Sequence, residues 1–114
     1  MIVRLLLTIA IMPMLVFSVS SEECEKGCQT TVVVQDCGGT PVANANVQIR
    51  LCCGDGTEHV STTNSSGEAT FNYCLKDICS SKVLLAGFAP RSFDRSGCSE
   101  HGKTSRCEIK VCVR

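Results

Sequence analysis

The chain has 114 residues, with eleven Lys and Arg balancing eleven Asp and Glu for a formal net charge of zero. That balance offers no electrostatic ground for binding nucleic acid or an anionic membrane. The length suits one domain rather than two, and ten cysteines without any tryptophan mark a chain that replaces large core side chains with cross-links.

The first element in chain order is a leader. MIVRLLLTIAIMPMLVFSVSS places Arg4 before an apolar run from Leu5 to Phe17 and ends in small residues, the three-part layout of a secretory signal peptide. Ser18 and Ser20 fit a cut after Ser20, and Val19 with Ser21 permits one after Ser21. A retained anchor is the weaker alternative, because the run is shorter than the roughly 20 apolar residues that span a bilayer and contains Pro13. Residues 1–20 are therefore expected to be removed, leaving 21–114 as one secreted, extracellular domain without a membrane span. Loss of Arg4 leaves ten Lys and Arg against eleven Asp and Glu, a net charge of −1.

After the acidic stretch SEECEKGC, QTTVVVQDC (29–37) reads as the first core strand, since β-branched residues favour a pleated, half-buried surface. CGGTPV is a turn. Residues 45–53 then alternate, with Ala45, Val47, Ile49, Leu51 and Cys53 on one side and Asn46, Gln48, Arg50 and Cys52 on the other, which is the period of a strand. CGDGT, a short strand EHVSTT and the turn TNSSG lead to a second alternating stretch, 68–74, with Ala69, Phe71 and Tyr73 facing one way. LKDICSSK (75–82) reads equally as one helical turn or a loop. KVLLAGF (82–88) is a buried strand, SFDRS a short edge strand, SGCSEHGKTS a polar loop and RCEIKVCVR (106–114) the last strand. Six or seven short strands with turn chemistry between them predict an all-β fold, a small antiparallel Greek-key β-sandwich, with a small barrel as the alternative.

Two of these stretches resemble a known group. GGTPVANANVQI is similar to the "G-x-P-V-x-x-A-x-V-x-I/L" opening, and TTNSSGEATF to the "T-x-x-x-G-x-A-x-F" hairpin, of prealbumin-like β-sandwiches, which include transthyretin-like and carboxypeptidase regulatory-like domains. The resemblance covers about residues 30 to 73 and its motifs are structural. It implies a sandwich in which Pro41 fixes a turn, Ala45, Val47 and Phe71 enter the core, and Gly67 supplies a permissive backbone. It also implies a non-catalytic module that braces or binds other proteins.

Cys24, Cys28, Cys37, Cys52, Cys53, Cys74, Cys79, Cys98, Cys107 and Cys112 all follow the leader. An even number in a short secreted chain implies disulfides, with the pairing open among about 945 possibilities. Metal binding is disfavoured: Cys24-x-x-x-Cys28 and the Cys52-Cys53 pair suggest thiolate ligands, but structural zinc sites usually show paired C-x-x-C or Cys/His spacings, His59 and His101 stand alone, and in an oxidising compartment thiols form bridges before they hold zinc. No C-x-x-C supports redox catalysis. A bond between Cys52 and Cys53 themselves would be strained, so each is expected to bridge a different partner from its own face. No elbow singles out a serine nucleophile to work with either histidine and Asp55, Asp94 or Glu100. No P-loop is present. Neither an enzyme nor a cofactor is expected.

Asn64-Ser65-Ser66 is a glycosylation acceptor in a turn, or simply the residue that makes the turn. The expected function is binding of an extracellular protein, such as a receptor, channel or matrix component, by a monomer through loops 54–57, 64–67 and 97–105. The alternative is a venom or host-directed toxin acting through Arg91, Arg95, Lys103, Arg106, Lys110 and Arg114, and an enzyme inhibitor ranks below both.

Overall fold

Short runs of alternating burial become eight strands in the computed structural model, which describes residues 23–93 and 95–112, the side chain of Arg95 excepted. The expected leader, 1–20, lies outside those residues. In order they are β1 (Gln29–Asp36), β2 (Asn46–Leu51), β3 (Glu58–Thr62), β4 (Glu68–Phe71), β5 (Ile78–Leu84), β6 (Arg91–Ser92), β7 (Cys98–His101) and β8 (Thr104–Val111). They form two four-stranded sheets, ordered β4-β1-β8-β7 and β3-β2-β5-β6. The expected all-β, two-sheet domain is present, with eight strands in place of six or seven.

One pairing departs from the antiparallel expectation. β1 and β8 run parallel over their whole length, from Gln29↔Thr104 to Asp36↔Val111. The cause lies in the β7–β8 hairpin, closed at Gly102 with φ 64°. That hairpin turns the chain so that β8 enters between β7 and β1 in the direction β1 already follows.

The core fills the space between the sheets. β8 alternates without a break, with Ser105, Cys107, Ile109 and Val111 buried and the residues between them exposed. Val32, Val34, Val47, Ile49 and Val83 are at most 1% exposed, and each buried aliphatic side chain contributes about 1.5–3 kcal/mol. Val33 faces away from this core yet is also buried. Its neighbours across the sheet are Glu68 and Glu108, and the Arg106–Glu68 ion pair at 3.3 Å reaches across β1 from β8 to β4 and shields it.

Several element boundaries differ from the sequence expectation. A 3-10 turn at Leu75–Asp77 precedes β5, which starts at Ile78 instead of Lys82 and ends at Leu84. A register shift at Arg50/Leu51 lets Ile78 pair with Leu51, and this draws the ambiguous segment into the sheet. The segment read as a polar loop holds β7, an edge strand that is legible only through its pairing with β8. SFDRS supplies just the end of β6, and Asp94 lies outside the described residues. In the 36–41 turn the organiser is Asp36, whose Oδ1 accepts the backbone N–H groups of Gly38 and Thr40, each at 2.9 Å. Pro41 is exposed and forms only an isolated bridge with Gln35.

The turns gather at two ends. One end joins segments 23–28, 52–57, 72–77 and 102–103, where Cys24–Cys53, Cys28–Cys74 and Cys52–Cys79 meet. The other joins 37–45, 63–67 and 85–90, crossed by Cys37–Cys112 alone among the described residues.

Candidate functional site

Each cysteine read from the sequence as a bridge is one. Cys24 pairs with Cys53, Cys28 with Cys74, Cys37 with Cys112, Cys52 with Cys79 and Cys98 with Cys107, and no free cysteine is present among the described residues. Cys53 is buried and Cys52 exposed, and they take different partners, as the alternation requires. The sulfurs nearest a ligand-like geometry, in the groups Cys24–Cys53–Asp77 and Glu25–Cys28–Cys74, are all tied up in bridges. A bridged sulfur is not the thiolate that zinc requires.

The bridged end also holds a charge cluster that sequence reasoning misses. Glu25 accepts from Lys103 at 2.7 Å and pairs with Lys76 at 2.8 Å. Its backbone N–H donates to Asp77 Oδ2 at 3.1 Å. The hydrogen bond from Lys103, and then that from Lys76, lower the Glu25 carboxyl from the ordinary 4.5 to about 2. Positions 25, 76 and 103 share no local pattern. The Cys28–Cys74 bridge and the bond from Gln29 N–H to Lys103 O bring them together.

Of the six basic residues expected to form one contact face, the four whose side chains are described are split: Lys103 lies at the bridged end, whereas Arg106 and Lys110 point outward from β8. Lys103 and Arg106 are paired with carboxylates at separate places. Arg91 and Lys110 line a shallow depression of about 350 Å³ with Glu108. Arg95 opens a 3-10 turn, and its side chain, like all of Arg114, lies outside the described residues.

The histidines are likewise apart. His59 lies on β3, with Nε2 at 3.0 Å from Thr57 Oγ1 and 3.2 Å from Tyr73 OH and its ring 4.8 Å from that of Tyr73. His101 lies on the edge strand of the other sheet, where its carbonyl accepts from Thr104. Among the described residues neither ring bonds a carboxylate or a serine hydroxyl, so the geometry of a catalytic triad is missing there.

Asn64 makes its turn. Its Oδ1 accepts the N–H groups of Ser66 at 2.9 Å and Glu68 at 3.1 Å, while the residue stays exposed. Those bonds occupy the oxygen and not the nitrogen, the atom that a glycan would take. The turn and the acceptor readings are thus compatible. Of the three loops expected to bind, 54–57 and the 102–103 turn lie at the bridged end and 64–67 at the other.

No family model and no curated protein matches this chain.

Proposed function

We propose that the chain is a secreted, non-enzymatic binding module that engages an extracellular protein through the loops of its bridged end. The observation that carries this reading is the concentration of three disulfides and the Glu25–Lys76–Lys103 cluster behind loops 54–57 and 102–103. Loops held in one conformation before contact lose little entropy on binding. Five disulfides fit the oxidising conditions outside the cytoplasm, and no helix among the described residues is long and apolar enough to cross a membrane. A glycan on Asn64, at the opposite end, would leave the bridged end uncovered.

The prealbumin-like assignment has support in where the two resembling stretches fall. Ala45 and Val47 are fully buried, Gly67 adopts φ 77°, and Phe71 is 5% exposed. The toxin reading draws on Arg91 and Lys110, which share a depression and have no ion-pair partner among the described residues. It has less support, because Lys103 and Arg106 are each paired with a carboxylate.

The test is capture from the native extracellular fluid by the immobilised, oxidised protein, repeated with D55R/K103E and with S66A. A protein retained by the unaltered chain and by S66A, but lost by D55R/K103E, supports the reading. Equal capture by all three, or none, overturns it.

A further inference from the structure

The inner faces of the sheets do not close on each other everywhere. At inward positions beside β6 and β7 the side chains are small. Ser81 stands opposite Ile49 in the β2–β5 register, and Cys98 stands opposite Cys107 in β7–β8. Sheet β3-β2-β5-β6 ends in a strand of only two residues, so it does not extend far enough to cover the gap. The result is a cleft of about 520 Å³ that runs from solvent into the core.

Its floor is Val32, Ile49, Thr30 and Cys107, each at most 1% exposed. Leu75, Ile78 and Phe93 form its sides, and Ser80 and Ser96 lie at its exposed mouth. The floor hydroxyl, Thr30 Oγ1, already donates to Tyr73 O at 2.8 Å, and Ser81 Oγ donates to Phe93 O at 2.9 Å. A water held at the floor would find few polar partners, and ordered water needs about two to four. Among the described lining residues none carries a charge. Two walls are fixed covalently by Cys52–Cys79 and Cys98–Cys107, so the cleft exists before anything enters it.

We propose that this cleft binds a neutral, apolar small molecule, which gives the domain a ligand-carrying capacity separate from its loops. Its volume lies within the roughly 300–1,000 Å³ of small-molecule sites, and a dry cavity of about 150 Å³ already takes benzene. Apolar walls, with the hydroxyls of Thr30 and Ser81 already donating to backbone carbonyls, favour a ligand whose one polar group, if present, stays at the exposed mouth.

The experiment titrates the oxidised protein with N-phenyl-1-naphthylamine. The expected result is saturable one-to-one fluorescence enhancement, with nuclear Overhauser contacts from the probe to the methyls of Ile49, Leu75 and Ile78. S81L fills the cleft and should weaken binding by about tenfold or more, whereas V60S, on the exposed face of β3, should leave it unchanged. If S81L fails to fold, the smaller S81V takes its place, and the Overhauser contacts in the unaltered protein decide on their own. The proposal is overturned by absence of saturable binding, by contacts to Val60 instead of the core methyls, or by undiminished binding in a folded S81L or S81V. Equal affinity for the anionic 8-anilino-1-naphthalenesulfonate would overturn the neutral ligand class.

Discussion

The two ends of the sandwich are closed by different chemistry. At one, segments 23–28, 52–57 and 72–77 meet through three disulfides and a carboxylate held by two lysines. At the other, turn residues bond the backbone: Asp36 closes 36–40, Asn64 closes 64–68, and Thr63 links two crossing segments. Only Cys37–Cys112 bridges that end among the described residues. The difference teaches that a chain poor in aromatic residues reaches a defined shape in two ways. It uses cross-links where connections are irregular, and side-chain caps where turns are tight.

Complete reduction gives the largest effect. Loss of all five bridges should abolish cooperative unfolding in urea, followed by circular dichroism, and an unchanged transition in reductant would show that the core stands without them. The comparison between the ends is sharper with paired variants. C37A/C112A opens a loop of 75 residues and should lower the unfolding free energy by about 4 kcal/mol. C28A/C74A should lose less, since Cys24–Cys53 still ties 23–28 to 52–57 and Cys52–Cys79 ties 52–57 to the start of β5, which directly follows 72–77. Equal losses would break the distinction.

At the less bridged end, G67A tests a tight approach. The glycine has φ 77°, and an added Cβ would lie 2.6 Å from Val34 O, which is backbone and does not yield easily. About 3 kcal/mol of destabilisation is expected in chemical denaturation, and a loss under 1 kcal/mol would mean that β1 shifts to make room. T63V keeps shape but removes a buried hydroxyl that donates to Val42 O at 2.7 Å and accepts from Ala45 N–H at 2.9 Å. The expected loss is about 2 kcal/mol by the same measurement.

The smallest effect belongs to Glu25. Its carboxyl titrates lower in the folded protein, near 2, than the ordinary 4.5, so its contribution is fully present above 4.5 and disappears as pH falls toward 2. The midpoint of thermal unfolding of the unaltered protein should therefore exceed that of E25Q at pH 6. The gap should close by pH 2, and should also narrow in 1 M NaCl because the pair is exposed. A gap independent of both would assign the effect to packing.

Strands whose two faces differ were legible in the residues. Val47, Ile49 and Leu51 alternate with polar partners and are buried, and Phe71 packs inside as its pattern requires. β7 was not legible, because an edge strand of Cys-Ser-Glu-His has no apolar face to announce it and exists through its partner. The start of β5 was hidden by a register shift that only the neighbouring strand reveals. Cysteine participation followed from number and compartment, whereas pairing depends on which segments the fold brings close. The Glu25 cluster escaped for the same reason: its members are distant in sequence and become neighbours through a bridge. The cleft was invisible because small residues at inward positions look, in one dimension, like ordinary surface.

The parallel pairing of β1 with β8 has a consequence for assembly. β8 is the central strand of its sheet beside β1, yet it is the last of the eight to be synthesised. Until it arrives, β1 has a partner only in β4, and the inner faces of Val32 and Val34 lack the cover of Ile109 and Val111. Nearly the whole domain must therefore be made before its core can be sealed, and contacts of such long sequence separation form slowly. A nascent chain stalled before residue 104 would expose an unfinished sheet edge to other chains, so the interval in which this protein is vulnerable to aggregation ends with its final strand.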